Sequence, residues 1–231
     1  MPTESEFNSQ VDWIGGHLQT FLDVEREERE VDDSADRTVV WEIDSPPAIT
    51  HLVGAKSNNR YLDVIYGYDL LWDLMLFLDT DQSESIISKA DAESVEALQE
   101  EVPELSNEAS TDEEVNREKI QRDWVAANIR IKSVSRESNT NLIIRLNEIF
   151  SEGPLTYSIE RSEEDRFREF TLFHQLFPYE GDLRTQDVYD SIRLVKSSGH
   201  YAANLLRYSF GIRSNIEETE PIPERLNWPD F

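Results

Sequence analysis

Residues 155–206 place the strongest constraint on the fold. In LTYSIER (155–161), Leu155, Tyr157 and Ile159 alternate with Thr156, Ser158 and Glu160. That period of two is the pattern of a strand with one buried face. After the polar link SEEDR, the run FREFTLFHQLF (167–177) returns, with Phe170, Leu172 and Leu176 on one side. Two such runs around a short polar link predict an antiparallel hairpin. Pro178 cannot extend the second strand, and Gly181 supplies a turn geometry that a residue with a Cβ resists. Thr185 is then a natural N-cap, with Asp187 beside the positive helix end. Val188, Ile192, Val195, Gly199, Ala202 and Leu206 recur at helical spacing and predict a long helix facing the sheet.

The first half supplies more strands. TVVWEID alternates Val39, Trp41 and Ile43 with Val40, Glu42 and Asp44 before Ser45-Pro46-Pro47 breaks it. ITHLVGAK (49–56) and RYLDVIYGY (60–68) follow, the latter with Leu62, Val64 and Tyr66 on one face. Short links between these three imply an antiparallel meander. LLWDLMLFL (70–78) fits either a strand end or a short buried helix, which periodicity does not separate at that length. Upstream, Phe7, Val11, Ile14, Leu18 and Phe21 form one helical stripe, with a Thr3-x-x-Glu6 capping box before it. Gly15 and Gly16 interrupt that stripe, and small residues there allow another element to approach closely. The charged run 23–37, DVEREEREVDDSADR, reads as loop.

Between the halves, residues 79–114 hold 13 acids and one Lys, the composition of a mobile insertion. Val95, Leu98 and Val102 mark a short amphipathic helix inside it. Ile120, Trp124, Ala127, Ile131 and Val134 then predict a helix, with NIRIKSV (128–134) as a rival strand. SRESNTN (135–141) breaks or kinks it, and Leu142, Leu146, Ile149 and Phe150 continue helically to Gly153-Pro154. The predicted fold is α+β: an antiparallel sheet of about five strands with helices packed on it, in the order α-β-β-β-α-β-β-α. Residues 1–78 and 115–213 form two halves of one domain around the insertion 79–114. Residues 214–231 form a proline-rich arm.

Charge bounds the setting. Asp and Glu total 48 against 22 Lys and Arg, a net −26, and only five of the basic residues are Lys. In dilute buffer so much like charge pushes a compact state apart. Concentrated salt shortens the Debye length to about 3 Å at 1 M and removes most of that repulsion. The composition therefore predicts a cytoplasmic protein in a salt-loaded, halophilic and archaeal cell. The polar start MPTESEFNSQ has no basic segment followed by an apolar one, so no secretory signal or membrane contact is expected. Nucleic acid is not an expected partner either, because the stripe Arg117, Lys119, Arg122, Arg130, Lys132 and Arg136 is interrupted by acids.

Chemistry finds few footholds. With no cysteine, thiol catalysis and thiolate metal sites are excluded. GAKS (54–57) lacks the first glycine of a phosphate-binding loop and does not open a helix. Asp79-Thr80-Asp81 begins like a calcium loop, but Glu84 stands where that loop needs glycine and Ala90 where it needs a bidentate acid. His17, His51, His174 and His200 are scattered without zinc spacing. His174 shares a strand face with Phe170, Leu172 and Leu176, the place of a satisfied core or rim histidine. No catalytic residue, metal ligand or cofactor site is predicted. A metal-dependent enzyme using Asp79, Asp81 or His174 is the alternative, and a self-assembling structural subunit a further one. Trp228 and Phe231, aromatic residues in the arm, are the candidate partner-binding residues.

The second half resembles the type III secretion chaperone-like fold, which includes the YbjN family. The residues that carry this are 143–206: a helix with Leu146-Asn147, a short hairpin, a Pro-x-x-Gly end to its second strand and a long terminal helix. The resemblance implies a compact α+β domain, often dimeric, that binds polypeptide segments on its surface without catalytic residues. The function expected is a protein-binding module, chaperone-like or regulatory. Its expected partner is another protein or peptide segment, with homodimer formation as a further association.

Overall fold

The structure, a computed structural model, describes residues 4–22, 24–30, 37–56, 61–100, 111–176 and 184–211. Along the chain these form α1 (Glu4–Phe21), β1 (Val24–Glu30), β2 (Arg37–Ile43), β3 (Ile49–Lys56), β4 (Tyr61–Asp69), α2 (Leu70–Phe77), α3 (Thr80–Lys89), α4 (Ala92–Glu100), α5 (Thr111–Ser133), α6 (Arg136–Ser151), β5 (Thr156–Arg161), β6 (Phe167–Leu176) and α7 (Thr185–Ser209). The fold is α+β. The strands make one sheet in the order β1-β2-β3-β4-β6-β5, with every neighbouring pair antiparallel.

The predicted meander and hairpin are both present, and the sheet gains a sixth strand. β1 falls in the charged run read from sequence as loop. Its backbone pairs with β2 from Val24–Ile43 to Glu30–Arg37. Backbone pairing at a sheet edge does not require an apolar side-chain pattern, so composition hid it.

The alternation in the strands does what period two requires. Val39, Trp41 and Ile43 on β2, Leu62, Val64, Tyr66 and Tyr68 on β4, and Phe170 and Leu172 on β6 are buried under the helices. Phe7, Val11, Ile14 and Leu18 of α1 join the same core, as do Val188, Val195, Ala202 and Leu206 of α7. Fully burying one such large apolar side chain contributes roughly 1.5–3 kcal/mol. Gly15 permits the approach of α1 to the sheet. A Cβ there would sit 2.7 Å from the Trp41 ring, whereas one on Gly16 would meet nothing within 4 Å.

The ambiguous run 70–78 is a helix started by Asp69, whose carboxylate accepts from the Trp72 amide at 3.1 Å. The rival strand at 128–134 is also helical as far as Ser133, where α5 ends. The break beyond it is narrower than SRESNTN suggests. It spans Val134 and Ser135, and Ser135 caps α6 by accepting from the Ser138 amide at 3.1 Å. Arg166 donates to the carbonyls of Ile131 (3.1 Å) and Val134 (2.6 Å) at the end of α5. Asn139 ties α6 to the hairpin, donating to the Asp165 carbonyl and accepting from the Phe167 amide, each at 3.0 Å. Within the acidic stretch, α3 and α4 are helices against α5, and Leu98 is buried as its spacing predicts. Ser83 of α3 donates to the buried Asp123 of α5 at 2.7 Å.

α7 begins one residue earlier than predicted: Arg184 is the N-cap and Thr185 the first helical residue. Asp187 does serve the helix start, accepting from the Arg184 amide at 2.8 Å. The Pro178 and Gly181 turn, Thr3 of the predicted capping box and the arm 214–231 lie outside the described residues. No described helix is long and apolar enough to cross a membrane.

Candidate functional site

Alternation also defines what the helices leave uncovered among the described residues. The residues between the buried ones point to the opposite face of the sheet. There Glu42, Leu52, Ile65, Phe173 and Thr156 lie side by side on five successive strands. Leu52, Ile65 and Phe173, the middle three, are half-buried and lie outside the main core. They make a short apolar band flanked by polar positions.

The next row along the strands is Thr50, Gly67, Thr171 and Ser158. A groove of about 390 Å³ opens over it, lined by Thr50, Ile65, Gly67, Thr171, Glu169 and Trp72. Trp72 is 47% exposed at the start of α2, beside Asp69. Gly67 keeps the floor low, since a side chain there would begin to fill the groove.

A third row closes the face at this end: Asp69, Glu169 and Glu160 stand as register partners on β4, β6 and β5. Partial burial, followed by the Glu160 and Asp69 carboxylates, holds Glu169 above the usual carboxylate range. Desolvation and the like charges gathered on one patch act in the same direction here. The open face therefore offers an apolar band, a groove with an aromatic wall and an acidic end. It combines apolar surface with hydrogen-bonding and acidic groups.

The residues weighed for chemistry are not brought together as a centre. Asp79 is the N-cap of α3, accepting from the Gln82 amide at 2.7 Å. Asp81 is exposed in the first turn of the same helix. His174 bonds Ser191 through Nδ1 at 2.8 Å, and burial lowers its pKa. It is the satisfied rim histidine that the strand pattern indicates. Among the described residues no group of three or more His, Asp or Glu is placed to hold a metal ion. Trp228 and Phe231 lie outside the described residues.

Sequence reasoning missed the open face because its band is built from single residues on β3, β4 and β6. Each looks like an ordinary outward position on its own strand. Only the register places the three together.

No family model matches the sequence, and no curated protein matches it. A solved structure similar to this chain is that of an uncharacterized protein from Methanothermobacter thermautotrophicus. It covers 87% of this chain and 98% of its own, at 9% identity and a TM-score of 0.49. None of these comparisons names the chaperone-like family that residues 143–206 resemble.

Proposed function

We propose that this chain is a protein-binding module, chaperone-like or regulatory, which holds a polypeptide segment across the open face of its sheet. The observation that carries this reading is the band Leu52–Ile65–Phe173, two rows along the sheet from the acidic row Asp69–Glu169–Glu160, with the exposed Trp72 beside that end. Apolar side chains of the segment cover the band. A Lys or Arg of the segment meets the acidic row and the Trp72 ring, where a cation gains from both charge and the aromatic face. The partner segment is thus apolar and basic.

The arm 214–231 is a poor occupant by charge. It has five acids and one Arg, the same sign as the acidic row. Trp228 and Phe231 are instead a second aromatic contact for the partner. The net charge of −26 suits work in concentrated salt, where long-range steering is screened and direct contact decides affinity.

The test uses two fluorescein-labelled nonapeptides in high KCl, one alternating Arg with Ile and the other Glu with Ile. Anisotropy is expected to show saturable binding of the basic peptide alone. Ile65→Lys and Phe173→Lys, each at a partly exposed position, are expected to weaken it at least about tenfold without lowering Tm. Equal binding of both peptides, no saturation, or indifference to both substitutions would refute the assignment.

A further inference from the structure

A second site lies on the other side of the sheet, between α7 and the link from β2 to β3. It is a pocket of about 250 Å³ lined by His51, Tyr66, Lys196, His200, Asn204 and Arg207, with Asp44 and Ser45 at the link. Two features set it apart from ordinary packing defects.

The first is a pair of unmet polar atoms. Tyr66 is fully buried, and its hydroxyl has no hydrogen-bond partner. His51 is 2% exposed, and its Nε2 has none either. A buried polar group left unpaired costs about 1–3 kcal/mol, so native folds rarely retain two in one pocket without use for them.

The second feature is the way the pocket is held. The Tyr66 ring lies edge-on to His51 (centroids 5.8 Å apart) and to His200 (5.6 Å), and it stacks over Phe170. Gly199 of α7 lies against that ring, and a Cβ at this position would overlap it. The helix thus carries a glycine where the tyrosine must pass beneath it.

Lys196, His200 and Arg207 stand at i, i+4 and i+11 along α7 and line one face of the pocket. Arg207 is engaged by Asp73, while Lys196 makes no ion pair among the described residues. Burial, complete for His51 and only partial for the surface-exposed His200, and then Lys196 push both imidazoles down, His51 to about 4, with His200 and Arg207 respectively as the next causes. Burial raises Tyr66. At neutral pH the lining therefore includes two neutral imidazoles and a phenol that keeps its proton, beside the Lys196 side chain. Each can donate a hydrogen bond.

We propose that this pocket binds a small oxyanion, the carboxylate or phosphate of a ligand of a few heavy atoms, through Tyr66, His51, His200 and Lys196. Its volume lies below that of typical pockets for larger organic ligands, roughly 300–1,000 Å³. The site is independent of the open face.

The experiment is imidazole NMR on histidine-labelled protein, titrated at fixed ionic strength with inorganic phosphate and, separately, with acetate. His51 and His200 signals are expected to move saturably, with His17 and His174 as internal references. A response to one probe alone assigns the oxyanion class. Tyr66→Phe, which keeps the ring, and Lys196→Gln, at an exposed position, are expected to weaken the response at least tenfold. No saturable movement with either probe would overturn the proposal. So would equal movement of all four histidines, or a response unchanged in both variants.

Discussion

Asp73 is expected to be among the most sensitive polar positions in the molecule. Its carboxylate is 1% exposed and lies where α2, α7 and β4 meet. Arg207 grips it with two bonds, Nε to Oδ2 and Nη2 to Oδ1, each 2.7 Å. The Tyr68 hydroxyl donates to Oδ2 at 2.6 Å. The guanidinium, with 14% of its side chain exposed, also lies 5.0 Å from the centre of the Phe77 ring. Asp73→Ala removes three charge-assisted bonds and leaves a cation and a phenol buried together. Breaking a buried pair from one side costs about 3–5 kcal/mol. For a chain of this length, about 4 kcal/mol corresponds to a fall in Tm of roughly 8 °C. Arg207→Ala should cost a similar amount, because it strands the carboxylate instead. The informative variant is Asp73→Leu with Arg207→Met and Tyr68→Phe, which replaces the whole polar cluster. Its stability should recover to within about 1–2 kcal/mol of the parent, since an apolar replacement need not meet the desolvation cost of the ions. Denaturant unfolding of the two single variants, the double Ala variant and the triple apolar variant measures this at constant KCl. Single losses below about 1 kcal/mol, or losses that simply add in the double Ala variant, would refute the argument.

Three further outcomes follow from other parts of the molecule. Gly15→Ala should destabilise by roughly 1–3 kcal/mol through collision with Trp41. Gly16→Ala, facing open space, should stabilise α1 by up to about 1 kcal/mol, and thermal melts of the pair compare them. His51 is held neutral, its pKa lowered from 6.5 to about 4. The unfolded chain therefore binds the extra proton first, and stability falls as pH drops from 6.5 toward 4, by about 3 kcal/mol over that window. Glu169, held above its ordinary value, acts in the opposite direction, so the readout is the difference between parent and His51→Gln. That difference should vary with pH across the window, and parallel urea curves would contradict it. Finally, Tm should climb as KCl rises from about 0.1 M to about 1 M, where the Debye length falls from about 10 Å to about 3 Å. A flat salt profile would remove the role assigned to the net charge.

Much of the architecture was legible because the core strands alternate cleanly. β5 and β6 show their two faces residue by residue, and α7 shows one uninterrupted stripe. β1 was not legible, because in VEREERE only Val24 is apolar and the strand exists through backbone pairing. The helix in 70–78 needed a signal outside the run, the Asp69 cap. The pocket beside α7 was half visible. His51 occupies an inward position with Val53 and Ala55, and Lys196 and His200 stand one turn apart. Nothing in the sequence joins them, because strand pairing and the crossing of α7 over β4 bring together residues far apart in the chain.

The strand order has a consequence for how the chain reaches this state. Within β1 to β4 each strand pairs with the next, and β5 pairs with β6, so both pieces close over short distances. The single remaining seam, β4 against β6, joins residues separated by a long excursion through α2 to α6 and β5. Loop-closure entropy grows slowly, by about 0.6 kcal/mol for each doubling of length, so this excursion tolerates helices such as α3 and α4 at small thermodynamic cost. Its effect on rate is larger, because distant pairing slows folding. Two locally closing pieces are thus joined across one distant seam, and slowed folding is the expected consequence of that topology.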